Sequence, residues 1–354
     1  LELALNKIVE RQLYNYYALR YLFELNREYK GSLSIFKRLG CWFSGFSNEK
    51  YELYNFKENP RKLYLTDIQR RKTAMINGPY SIILDDKNLF TKVLEQEKLT
   101  AQTYGNIKYG KISLGEEEID LPSFIAFIKE KGKVIVKSYY GGGGQSVYRL
   151  SAEDDQLRLN DKPITDQELA AFIAGAKRFI ISEHLTQADY AAHIFPETIN
   201  TIRILTMQDP RTHEVFIPIA VHKFGSTKTL PADNVRNGGM TARVDIETGI
   251  LQRSALHADN NMKIQWQELH PDTKVKIEGT LIPNWRQVRD RIIQLAQSLD
   301  YIRYVGWDVV VTNDGLRIIE GNNFSDVNIL QIHQPLLQDQ RARNFYKHYG
   351  IIKR

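Results

Sequence analysis

Asp308, Glu320 and Asn322 are the residues of this 354-residue chain whose types and spacing most plainly suit chemistry. Asp308 lies in the apolar run Val305 to Thr312. Glu320 and Asn322 belong to the next run, which begins at Leu316, and Asn313-Asp314-Gly315 between the runs is a turn signal. If those three residues form the loop, Thr312 pairs with Leu316, and counting back sets Asp308 opposite Glu320 on one face of a hairpin. Asn322 stays on that face by the two-residue period of a strand. Two carboxylates and an amide oxygen suit a hard, oxygen-seeking cation such as Mg²⁺, particularly where phosphate oxygens complete the octahedron. A two-residue loop would slip the register by one and part the two acids. The alternative is an edge hairpin with its acids in solvent; Val309, Val311 and Ile319 favour a packed strand with the acids on its other face.

Lys137 closes a second apolar run, Lys133-Val134-Ile135-Val136-Lys137, and Gly141-Gly142-Gly143-Gly144 follows after Ser138-Tyr139-Tyr140. Glycines let backbone N–H groups approach phosphate oxygens, and a neighbouring lysine adds charge. No Gly-Lys-Ser/Thr ending follows, so the run is not a P-loop. Four glycines alone are a flexible turn; beside Lys137 and the acidic hairpin a phosphate cradle is the better reading. Lys87 stands in the first turn of a helix capped by Asp85-Asp86 and expected through Lys87–Glu97. The helix dipole disfavours a cation there unless an anion binds too.

The elements that must position these groups follow from periodicity. Residues 1–75 are rich in Tyr, Leu, Lys and Arg, and Leu13, Tyr17, Tyr21 and Leu25 recur as one helical face would. Ser81-Ile82-Ile83-Leu84 reads as a short strand or turn. From about residue 119 come a helix over 121–129, the Lys137 strand, a strand over 146–150, a helix from the Thr165/Glu168 capping box to Ala176, and a strand over 178–182. Strands follow at 201–206, 215–221 and 241–245, then a helix over 285–299, then the acidic hairpin. There is no internal repeat, and the pattern is α+β with mostly antiparallel connections.

Composition narrows the partners. Lys plus Arg number 48 against 42 Asp plus Glu, a net charge of +6 that favours an anionic partner. The basic group Arg61, Lys62, Arg70, Arg71 and Lys72 could attract an acidic glycan or be a solvated helix face, and no nucleic-acid reader motif accompanies it. Cys41 is the only cysteine, which excludes an intramolecular disulfide and fits a reducing compartment. No apolar run reaches the roughly 18 residues of a membrane span, so a cytoplasmic protein is expected.

Asp86-Lys87, the Val-Ile-Val-Lys run with its glycine loop, Ile180-Ile181-Ser182-Glu183-His184-Leu185, and Asp308/Glu320/Asn322 together resemble the ATP-grasp superfamily. Asn200-Thr201-Ile202-Arg203, Gly238-Gly239 before Val244-Asp245, Gly306-Trp307-Asp308 and Glu320-Gly321-Asn322 resemble its sugar-transfer-associated branch, and the likeness covers about residues 78–330. It implies an ATP-grasp core over 78–354, with a lid subdomain near 130–186, behind a helical region at 1–77. Lys87 and Lys137 would then contact ATP phosphates and Gly141, Gly142, Gly143 and Gly144 would close over them. The backbone from Glu183 to Leu185 would bind adenine, Asp189 the ribose, and Asp308, Glu320 and Asn322 would hold Mg²⁺, with Mn²⁺ as its substitute.

The resemblance also implies a reaction. A carboxylate attacks the γ-phosphate of ATP, and an amine then displaces phosphate to form an amide, the substrates being small molecules such as a uronic acid or amino acid destined for a surface polysaccharide. Related D-alanine ligases carry an arginine two residues before the metal aspartate, where this chain has Gly306, so either Arg203 or Lys223 supplies the stabilising charge or the chemistry differs. His222, beside Lys223, is a secondary candidate for proton transfer. Two rivals remain open at this point, a kinase with a hydroxyl acceptor and a nucleotide-binding regulator without turnover.

Overall fold

The computed structural model describes residues 2–29, 31–140, 146–153, 156–235, 238–257 and 264–353. Among these residues, fifteen strands form two antiparallel sheets behind a helical N-terminal region. The first sheet contains β1 (Thr103–Lys108), β2 (Lys111–Leu114), β3 (Glu117–Ile119), β4 (Lys133–Ser138), β5 (Val147–Glu153), β6 (Gln156–Leu159), β7 (Lys162–Pro163) and β8 (Arg178–Glu183), in the order β3-β2-β1-β8-β4-β5-β6-β7. The second contains β9 (Ile202–Gln208), β10 (Val215–Phe224), β11 (Met240–Val244), β12 (Leu251–His257), β13 (Ile264–Gln267), β14 (Tyr304–Thr312) and β15 (Gly315–Asn322), in the order β13-β12-β11-β10-β9-β14-β15.

Each sheet packs helices on a face set by strand alternation. In the first, Val134, Val136 and Ile181 meet Phe124 and Ile128 of the helix Leu121–Lys131 and Leu169 and Ile173 of the helix Asp166–Gly175. The latter starts at the expected capping box, with Thr165 Oγ1 accepting from Glu168 N. In the second sheet Ile202, Ile204, Ala220, Phe224, Val305, Trp307, Val309 and Val311 face the helix Trp285–Ser298 through its Val288, Ile292 and Leu295. The opposite face is covered at one end by the helix Gln340–His348, whose Phe345 and Tyr346 pack with Leu205, Met207 and Tyr304. Its other end, at Arg203, Lys223 and Asp308, opens toward the first sheet.

The acidic hairpin closes differently from the expected three-residue loop. Thr312 pairs with Gly315, so Asn313-Asp314 is a two-residue turn, and Gly315 takes φ +144°. A regular ladder from that turn would set Ile319 opposite Asp308. Instead the pairing jumps from Val309↔Ile318 to Asp308↔Glu320, which makes Ile319 the extra residue of a β-bulge. The bulge reverses the slip. Leu316 and Ile318 lie on the core face before it and Gly321 after it, where Gly321 pairs with Trp307. Glu320 and Asn322 therefore share the face of Asp308.

The N-terminal expectations need further correction. The helix Glu2–Glu28 buries Ala18, Leu22 and Asn26, one residue away from the expected stripe, and leaves Tyr17 exposed. Segment 81–84 is helical, a 3-10 turn at Gly78–Ser81 running into Ile82–Asp85. The next helix spans only Lys87–Val93, because the chain tightens to a 3-10 turn at Glu95–Glu97 and turns left-handed at Lys98. Arg70 is buried rather than part of a solvated face; its Nε donates to Ser325 O and its guanidinium lies over the Phe324 ring.

Candidate active site

A cavity of about 600 Å³ lies between the sheets. The first sheet lines it with Ile135 and Lys137 of β4, Val147 and Arg149 of β5, and Ser182 and Glu183 of β8. The second supplies Arg203, Lys223, Asp308, Ile319, Glu320 and Asn322. Lys87, at the start of its helix, and Leu185, just past β8, add to the wall. Of the residues singled out in the sequence, Lys87, Lys137, Glu183, Leu185, Arg203, Lys223, Asp308, Glu320 and Asn322 thus converge here.

Asp308 is the most heavily engaged group. It pairs across β14 and β9 with Arg203, whose Nε donates to Oδ1 at 2.6 Å and Nη2 to Oδ2 at 2.9 Å. From the next strand Lys223 Nζ reaches Oδ2 at 3.3 Å and Asp233 Oδ1 at 3.6 Å. Burial opposes charge on Asp308, but the two cations outweigh it and hold its carboxyl below the usual carboxylate range. Glu320 is pushed up, first by burial and then by Asp308.

Gly306 shows how the guanidinium reaches this spot from another strand. A side chain at 306 would put its Cβ 2.2 Å from Ser325 Oγ and 3.3 Å from Arg203 Cδ. Arg203 and Ser325 fill the space beside residue 306.

Asn322 donates from Nδ2 to Gly306 O at 3.0 Å and to Glu320 Oε1 at 3.3 Å, which turns Oδ1 away from both. Asp308, Glu320 and that amide oxygen form a hard donor set on one face, and it fits Mg²⁺. Among the described residues no group of three His, Cys, Asp or Glu gathers as a metal site, so the amide is needed to complete the set.

Two lysines mark the other side. Lys137 lies between Val147 of β5 and Ile180 of β8 on the adjacent strands, and burial lowers its ammonium to about 8, with Glu320 acting against the shift and Lys87 in its direction. Lys87 opens its helix behind Asp86, whose Oδ1 accepts from Asn88 N and Leu89 N, while Lys87 N donates to Tyr139 O at 3.1 Å. That bond ties the helix start to the segment entering the glycine run. Gly141–Gly144 themselves lie outside the described residues.

Two candidates sit elsewhere. Asp189 is exposed and away from the cavity lining; its Oδ1 accepts from Asn313 Nδ2 at 3.0 Å at the hairpin turn. His222 points to the opposite face of β10, where it stacks on Phe224 and meets Tyr190 Oη at 2.9 Å, and burial depresses it to about 3. Strand alternation excludes it from the face of Lys223. Sequence reasoning missed Asp233, which accepts from Thr201 N at 2.9 Å and braces Lys223. It also missed Ser325, which accepts from Arg203 Nη1 at 3.5 Å. Both lie on loops with no periodicity to betray a partner.

Two facing antiparallel sheets with a cation-rich, carboxylate-bearing cavity between them define the class. Residues 71–346 match the family described as sugar-transfer associated ATP-grasp, and the chain belongs to that family. Similar solved structures include the ATP-grasp ligase PsnB with a minimal precursor, at 16% identity over 70% of this chain and 55% of that one, with a TM-score of 0.34. The ADP complex of N5-carboxyaminoimidazole ribonucleotide synthetase matches at 14% identity, 68% and 45% coverage and a TM-score of 0.36. A D-alanine–D-alanine ligase from Bacillus anthracis matches at 13% identity, 76% and 69% coverage and a TM-score of 0.38. The chain thus spans about half the length of the first two. No curated protein matches it significantly in sequence.

Proposed function

We propose that the cavity binds Mg·ATP and that the protein is a carboxylate–amine ligase working through an acyl phosphate. The observation that carries this is the convergence of Asp308, Glu320 and Asn322 on one face with Arg203 and Lys223, across the cavity from Lys137. Glu183 N already donates to Gln102 O at 2.9 Å, so a purine edge would use the Glu183 carbonyl and the amide of Leu185, between Ile135, Val147 and Ile319. Lys87 and Lys137 would take the phosphates. Asp308, Glu320 and Asn322 would hold Mg²⁺, whose charge would neutralise that of the transferring phosphoryl group.

A carboxylate oxygen of the substrate attacks the γ-phosphorus and the bond to the β-phosphate oxygen breaks, releasing ADP. An amine then attacks the acyl carbon, inorganic phosphate departs, and the amine proton passes to solvent. Arg203 is already oriented by Asp308, and its Nη1 faces the Ser325 loop, where charge would develop on the acyl phosphate and the tetrahedral intermediate. Lys223 adds a second fixed charge. The family's association with sugar transfer supports a uronic acid or amino acid as the carboxylate, bound for a polysaccharide.

Hydroxylamine tests the reading. With a panel of uronic and amino acids, Mg²⁺ and ATP, the acyl phosphate is intercepted as a hydroxamate, and formation depends on the carboxylate. A stable phosphorylated sugar without hydroxamate would make the protein a kinase.

A further inference from the structure

We propose that the helix Ile35–Phe43 docks the protein on an anionic lipid surface. Five of its nine residues are large apolar side chains exposed to solvent: Ile35, Phe36, Leu39, Trp42 and Phe43, with Phe36 83% and Phe43 89% accessible. Only Cys41 is buried, in a cluster with Phe46, Tyr54 and Tyr64. Arg61 Nη1 donates to Gly40 O at 2.7 Å and holds the helix from the same side. The backbone is thus anchored while the apolar tips stand off the protein.

The preceding helix Glu2–Glu28 likewise exposes Tyr16, Leu19 and Phe23. Five exposed apolar side chains on one short helix mark an interaction surface.

Charge selects the occupant. Lys37 and Arg38 lie exposed among the apolar residues of the helix, and Lys57 and Lys62 are exposed nearby in the chain. Residues 1–75 contain 14 Lys plus Arg against 8 Asp plus Glu, which equals the whole +6 excess of the protein. A protruding helix with aromatic tips and interspersed cations matches a bilayer interface, where rings sit at headgroup level and cations meet anionic lipids. A second copy pairing this patch with itself would set two surfaces of the same positive sign together. No helix among the described residues is long and apolar enough to cross a membrane, so the contact lies along the surface. None of these side chains lines the cavity, and the inference stands independently of the ligase reading.

The full chain tests this with vesicles of phosphatidylcholine alone and of phosphatidylcholine with phosphatidylglycerol. Expected are cosedimentation with the anionic vesicles, loss of it at high salt, and a blue shift of tryptophan emission that Trp42→Phe removes without ending sedimentation. Phe36→Ser/Phe43→Ser and, separately, Lys37→Gln/Arg38→Gln should each weaken binding roughly tenfold or more. An unchanged thermal midpoint checks the folding of both variants, and the charge variant decides if the apolar one fails. Equal binding to both vesicle types, no binding to either, or full binding by the charge variant overturns the proposal. So does a wild-type dimer that Phe36→Ser/Phe43→Ser makes monomeric while neither chain binds vesicles.

Discussion

The Arg203 guanidinium takes both oxygens of Asp308, Nε to Oδ1 at 2.6 Å and Nη2 to Oδ2 at 2.9 Å, from the adjacent strand of the same sheet. This geometry orients the carboxylate before any cation arrives. Arg203→Ala would leave the buried Asp308 with Lys223 alone, at a cost of about 3 kcal/mol. Urea unfolding should show that loss, and saturating Mg²⁺ should raise the variant's midpoint more than the wild type's, because the cation replaces missing charge. Equal stability of variant and wild type would mean that the pair is dispensable.

Lys137 should make nucleotide binding depend on pH. Burial lowers its ammonium to about 8, so it loses its proton as pH rises through that value, whereas bound phosphate favours the charged form. ATP affinity should fall above about pH 8, and calorimetry at pH 8.5 in buffers of different ionisation heat should record proton uptake. Lys137→Gln should bind more weakly and take up no proton. A flat profile for the wild type would remove Lys137 from the phosphate site.

Three buried histidines should make stability fall in acid. Burial depresses His222 to about 3, His257 to about 4 and His333 to about 3, from an ordinary 6.5, with His257 and Arg243 adding to the effect at His333. Each stays neutral in the folded chain and gains a proton on unfolding. Their contribution is complete above pH 6.5 and is lost as pH falls toward 4, at about 1.4 kcal/mol per pH unit for each. Thermal midpoints from pH 7.5 to 5 should fall, and less steeply for His333→Gln. An unchanged slope in that variant would contradict the assignment.

Arg70 connects the N-terminal helices to the cavity. Its guanidinium lies 4.1 Å from the centroid of Phe324, Nε donates to Ser325 O at 3.1 Å, and Nη1 donates to Tyr21 Oη at 2.9 Å. Phe324 and Asp326 line the cavity beside Asn322. Arg70→Ala should raise KM for the carboxylate or the amine several-fold while leaving ATP binding unchanged, since the loop it steadies follows the hairpin of Asp308 and Glu320. Weakened ATP binding with unaltered substrate KM would assign the loop to the nucleotide.

The legible parts of the molecule were those where spacing and chemistry coincide. The Thr165/Glu168 capping box, the Asp86 cap, the Lys137 strand and the alternation of Val305 to Val311 all appear as read. Asp308 does face Glu320, but by a two-residue turn and a bulge at Ile319, a compensation that no turn signal encodes. Strands β1 to β3, over 103–119, and β12 to β13 escaped because their residues alternate too weakly to separate from loop. Arg70 and Asp233 escaped because each meets its partners through long-range contacts; burial of an arginine beneath Phe324 is a tertiary event that a run of basic residues conceals.

The most direct test is calorimetric titration of ATP into wild-type, Asp308→Asn and Glu320→Gln protein, each with and without Mg²⁺. The two substitutions remove charge at nearly constant volume. Mg²⁺ should tighten ATP binding to the wild type, and each variant should lose most of that gain. Glu320→Gln should keep its thermal midpoint within a few degrees. Asp308→Asn, which leaves buried Arg203 and Lys223 without that carboxylate, should melt lower while still folded at the titration temperature. ATP binding with the same Mg²⁺ dependence in all three proteins, or none in the wild type, would contradict the Mg²⁺ assignment.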